Sequence, residues 1–178
     1  MESEEVVCLK EKKIDDVNRE TYAVIDGLNV AFSRNDGVAR LSDLIAVAKT
    51  ISGKFSKYET IVDASARHRI DNKVELEHHI ENGKITLCPA GIDGDDLIWS
   101  RAKSLYEKGF KVSIISNDMF PVRRRKEESI PIDSEAVSIF PDGQIYLMKR
   151  SWVGKQPKPQ TELAKTSLQV VEVESITK

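Results

Sequence analysis

Strand-like and helix-like periodicity alternate four times along this chain, and that rhythm limits the folds open to it. YAVID (22–26) reads as a strand, and Leu41, Leu44, Ile45, Ala48, Ile51 and Phe55 then recur at helical spacing across 38–55. YETIVDA (58–64) is a second strand. The polar, unbroken DNKVELEHHIEN (71–82) is a second helix that stops at Gly83. KITLC (84–88) is a short third strand closed by Pro89. DDLIWSRAKSLYEKG (95–109) is a helix with acids in its first turn and Lys108 and Gly109 at its end, as the helix dipole and glycine caps favour. FKVSIIS (110–116) is the most strand-like stretch of all. Alternation of this kind predicts an α/β fold with a mainly parallel central sheet and helices on both faces.

The pattern then changes. EAVSIF and QIYLMKR flank the turn signal PDG, which predicts a C-terminal β-hairpin. Residues 1–20 form a charged extension, 21–153 a single domain, and 154–178 a Pro-rich linker and tail. LQVVEV (168–173) in that tail reads as an edge strand, or as a segment ordered by a second copy or a protein partner.

Composition excludes several classes. No apolar stretch approaches the length of a membrane span, and MESEEVVCLKEKK is too charged for a secretory signal. With only Cys8 and Cys88 there is no disulfide framework, and a reducing cytoplasm is the expected location. His68, His78 and His79 lack the spacing of a zinc site. At a net charge of −2, any nucleic-acid contact must come from a local basic patch.

In an open parallel sheet, ligands sit beyond the carboxyl ends of the strands. Asp26 ends the first strand, SND places Asp118 at the end of the fourth, and Asp95 and Asp96 open the helix after the third. Carboxylates gathered on one rim repel, and protonation or a divalent cation relieves them. Oxygen ligands of this kind suit Mg²⁺ or Mn²⁺, which activate water and stabilise charge on a phosphoryl group. On the residues alone, Asp26 also serves as a turn cap, Asp95 and Asp96 as first-turn acids, and Asp118 as a turn residue.

VIDGLNVAF, IVDASARHR, ENGKITLCPAG, DGDDLIWSRAKSLYEKG and VSIISND follow in that order, and the set resembles the NYN branch of the PIN-like nucleases. It is most similar to the ribonuclease domain of the Regnase-type CCCH zinc-finger proteins, over about residues 22–120 and more loosely into the hairpin. The resemblance implies a three-layer PIN-like fold and endonucleolytic cleavage of RNA, expected single-stranded, by Mg²⁺-bound water. The family's first acid and nearby amide match Asp26 and Asn29, its paired acids match Asp95 and Asp96, and its last acid matches Asp118. Asp26, Asp96 and Asp118 are then the expected metal ligands, and Ser116 and Asn29 orient an acid, a water or a phosphate oxygen.

The chain also departs from that family. It carries no CCCH zinc finger, has Leu28 where the relatives have a small residue, and continues after SND with MFPVRRRKEE. Arg67 and Arg69 after the second strand, with Arg123, Arg124, Arg125 and Lys126 after the last acid, are candidate loops for the RNA backbone. Asp63 and Asp93 read as polar loop residues, and Trp99 and Tyr106 as packing. Two other classes stay open. One is a catalytically silent RNA-binding module; the other is a receiver-like phosphoacceptor domain, which expects an acidic pair where this chain has Asp26 alone.

Overall fold

The computed structural model describes residues 19–150. Its central strand is β1 (Thr21–Asp26), followed by a one-turn helix, α1 (Gly27–Ala31), and the longer α2 (Leu41–Lys54). Next come β2 (Lys57–Val62), α3 (Ala66–Arg69), α4 (Lys73–Glu81), the two-residue β3 (Thr86–Leu87) and α5 (Gly94–Glu107). The chain continues through β4 (Lys111–Ile115), α6 (Phe120–Glu128), β5 (Asp133–Ile139) and β6 (Ile145–Arg150). One six-stranded sheet runs in the order β3-β2-β1-β4-β5-β6, parallel throughout except for the antiparallel β5–β6 pair. This is the α/β architecture expected from the alternation, with its terminal hairpin.

Side chains on a strand alternate between faces, so each face of a parallel sheet needs its own cover. Ala23 and Ile25 of β1 join a core with Leu44, Val47 and Ile51 of α2 and Leu76 of α4. Val24 points the other way, into a second core with Ile98, Trp99, Ala102 and Leu105 of α5 and Phe120 of α6. Helices on both faces make the fold three-layered. Trp99 is buried, as its assignment to packing expects.

The boundaries shift where local chemistry outweighs periodicity. α2 begins at Leu41, whose amide N–H donates to the Asp71 carboxylate at 3.0 Å. β3 shrinks to two residues that pair only with Ile61 and Val62. The largest difference follows Asp118. The basic run expected as a loop is a helix, α6, with Pro121 in its first turn, where the missing N–H costs nothing. That helix carries the chain across to β5, which pairs in parallel with β4. The hairpin therefore widens the main sheet. Among the described residues no helix is long and apolar enough to cross a membrane. The charged extension before Arg19, and the linker, tail and LQVVEV segment after Arg150, lie outside the described residues.

Candidate active site

β1 and β4 are neighbours and parallel, so their last residues share one rim. Asp26 ends β1 and also caps α1: the Asn29 N–H donates to Asp26 Oδ1 at 3.4 Å. The next residue has to be glycine, because a Cβ on Gly27 would lie 2.6 Å from Val62 Cγ1 and 3.0 Å from the Ile61 carbonyl oxygen. Leu28, larger than the residue the relatives have there, is buried in the core that α2 covers. The VIDGLN motif thus makes a sharp strand-to-helix turn that leaves the carboxylate at the edge.

Ser116 is fully buried, and its hydroxyl links the tip of β1 to the segment that follows β4. It donates to Asp26 Oδ2 at 2.8 Å and accepts the Asp118 N–H at 3.1 Å. Asn29 Oδ1 accepts the Asn117 N–H at 2.7 Å. Asp26, Asn29, Ser116 and the Asp118 backbone therefore belong to one hydrogen-bonded group.

The rim is strained electrostatically. Burial pushes the Asp26 carboxyl up from its ordinary 3.8 to about 6, although Ser116 and Asn29 pull it down, and Asp95 and Asp118 push it further up. Asp95 is raised too, first by burial and then by Asp118 and Asp93, against the opposing pull of Arg123 and Arg124. Asp26 and Asp95 line a depression of about 370 Å³ together with Asp63, Ser65 and Asp93. Asp63 and Asp93, expected to be plain loop residues, also shape its walls. Asp63 accepts the Ser65 N–H at 2.6 Å and Asp93 caps α5 through the Asp95 N–H at 2.8 Å.

Asp96 lies apart from this group. Consecutive helix residues point about 100° from each other, so Asp95 and Asp96 cannot both face the depression. Asp96 pairs with Arg124 and lines a separate hollow with Trp99, Lys103 and Glu128. Asp118 is half-exposed; its Oδ1 accepts the Phe120 N–H at 3.0 Å, and the Arg123 guanidinium lies 4.0 Å away. Asp26, Asp95 and Asp118 share a field rather than a closed cage, and no group of three or more Asp, Glu, His or Cys side chains among the described residues forms a ready-made metal site.

The basic residues occupy helices, and most have acidic partners. Arg67 on α3 grips Glu77 through two hydrogen bonds of 2.6 and 2.9 Å. Arg69 stacks over the Phe32 ring at 4.5 Å. On α6, Arg124 holds Asp96 and Arg125 holds Asp133 at 3.1 Å, while Arg123 beside Asp118 keeps 62% of its side chain exposed. Lys126 is exposed on the same helix. Two other residues organise the rim. The Asn117 side chain accepts the Val137 N–H at 2.7 Å and donates to Ser33 Oγ at 3.2 Å. Arg150 donates to the carbonyls of Asn117 and Asp118 at 2.8 and 2.7 Å. An Asn between Ser and Asp was the only sequence signal for this hub, and it names none of these distant partners.

No protein-family model matches the chain, and no curated protein matches it in sequence.

Proposed function

We propose that this protein is a metal-dependent endoribonuclease of the NYN/PIN-like class whose working edge is the rim formed by β1 and β4. The observation that carries the reading is Asp26, a buried carboxylate at the tip of the central strand, held at about 6 by burial and by the nearby charges of Asp95 and Asp118. Crowded carboxylates at strand ends fit a hard divalent cation with water in its remaining positions, and the order of motifs supports RNA as the substrate. Mg²⁺ or Mn²⁺ bound there would supply an activated water and neutralise charge on the phosphoryl group.

The chain's own residues divide the remaining work. Asp26, Asp95 and Asp118 provide the anionic donors. The Ser116 hydroxyl fixes which Asp26 oxygen is held back and sets the Asp118 loop beside it. Asn29 locks the two strand tips together through Asn117. Asp96, assigned a ligand role by the resemblance, acts here by holding Arg124 over α5. Arg123 is the basic group best placed for a phosphate beside the acids.

The Asp96–Arg124 pair favours a second reading, in which the fold binds RNA without cutting it. Incubation of purified protein with labelled single- and double-stranded RNA in Mg²⁺, Mn²⁺ or EDTA separates the two. Cleavage that appears with either cation and vanishes in EDTA is the expected result. Binding without cleavage under every condition supports the silent module, and neither binding nor cleavage removes both readings.

A further inference from the structure

The face of β6 that turns away from the α2 core carries a row of large side chains the nuclease chemistry does not use. Ile145 and Leu147 pack against that core, so Tyr146, Met148 and Arg150 project from the opposite face. Tyr146 and Met148 are half-exposed, as are Phe140 at the hairpin turn and Met119 next to Asp118. The row is tied down at both ends. The Phe140 and Tyr146 rings meet edge to face at 5.1 Å, and the Arg150 guanidinium reaches Met119 Sδ at 3.2 Å and the Asp118 carbonyl at 2.7 Å.

The row stands upright beside the rim. Glu135 pairs with Ile115 at the level where β4 ends, and β5 runs on to Ile139, opposite Ile145. Four further residues at about 3.3 Å each carry the hairpin about 13 Å beyond the end of β4. Guanidinium groups of Arg150 and Arg123 flank its foot, giving that end the charge a polyanion seeks. The wall is also held in place: Tyr146 is braced by Phe140 on its ring and by Gln144 on its hydroxyl.

From this geometry we infer that Phe140, Tyr146 and Met148 form a stacking wall for the bases of single-stranded RNA whose backbone passes Asp118. This rests on the nuclease reading above. Flat rings and a thioether read no sequence, but every base offers a face to stack on. The wall thus favours unpaired strands, because a base locked in a duplex cannot turn onto it. Exposed apolar side chains also suit a second copy of the chain, and the test treats that as an outcome.

The test measures binding of a fluorescent single-stranded RNA oligomer in EDTA, beside an abasic oligomer of equal length. Tyr146→Ala should weaken binding of the base-bearing RNA about tenfold, the loss expected for one stacked base. Tyr146→Trp should bind as well as the parent protein, and the abasic oligomer should not distinguish any of the three. The Tyr146→Ala melt should lie within a few degrees of the parent's, the loss expected for the Phe140 and Gln144 contacts of a half-exposed side chain. Unchanged affinity in Tyr146→Ala overturns the wall while leaving the nuclease reading intact if the parent still cuts in Mg²⁺. Equal losses on both oligomers, or a parent dimer that the variant splits, also overturn it. A parent protein that neither binds nor cuts RNA removes the nuclease reading and the wall together.

Discussion

Two buried aspartates in this molecule live under opposite conditions. Asp43, at the start of α2, is 5% exposed and receives two hydrogen bonds from the Arg34 guanidinium at 2.7 and 3.0 Å. Asp26, 9% exposed, receives hydrogen bonds only from a hydroxyl and a backbone amide and feels two further acids. Glu135 follows the first pattern, with Lys54 at 2.6 Å. The chain therefore neutralises buried carboxylates wherever they serve the scaffold. At the rim it leaves the charge unbalanced, and in folded proteins such imbalance marks working sites more often than scaffolds.

The strongest way to break this contrast is to replace the unbalanced acid. Under the proposed nuclease mechanism, Asp26→Asn should lower RNA cleavage by about 10³-fold or more, since that mechanism assigns several kcal/mol of charge stabilisation to the carboxylate. Parent-like turnover in a single-turnover assay removes Asp26 from the chemistry. The paired acid should respond differently. Arg34→Ala strands Asp43 without its partner and should move the urea unfolding midpoint to a lower concentration, the exposure of Arg34 keeping the loss below that of a deeply buried pair.

The same Asp26→Asn variant should be more stable than the parent at neutral pH, by about 2–3 kcal/mol. The sign follows from the raised carboxyl. With a folded value of about 6 against an ordinary 3.8, the folded state holds the proton more tightly, so ionised Asp26 opposes folding. That cost is full above about pH 6, fades as pH falls, and is gone below about 3.8. Melting curves of both proteins from pH 4 to pH 8 should converge at the acid end. Parallel curves would mean that Asp26 is not strained at all.

Smaller effects sharpen the picture. Ser116→Ala removes the hydroxyl that pulls the Asp26 carboxyl down, so its value should rise further and the acid limb of the cleavage profile should move to higher pH. A loss of about 1 kcal/mol in stability is expected for one buried hydrogen bond, and NMR titration of Asp26 separates that from a purely structural effect.

The fold was legible because its signal is local and repeated: each strand and long helix announces itself within a dozen residues. The site was partly legible for a related reason, since topology alone brings strand-end Asp26 and Asp118 to one rim. What escaped depends on distant partners or on a competing local rule. The RRRK run reads as a solvated loop until Pro121 is recognised as a helix starter and Asp118 as the acceptor for the Phe120 N–H. Arg67 and Arg125 look free in sequence because Glu77 and Asp133 become their neighbours only in the fold. The divergence of Asp95 and Asp96 was readable in advance from helix geometry.

The pairing of β1 with β4 has a consequence in time. Ser116 lies 90 positions after the Asp26 it holds. At a synthesis rate of about 5–20 residues per second, β1 waits roughly 5–20 s for the strand that completes its rim. Closing so long a loop is also entropically slow to nucleate. A nascent chain that has made the first half of its sheet therefore carries the aspartate without the hydroxyl that holds it, and the rim is complete only when its fourth strand docks.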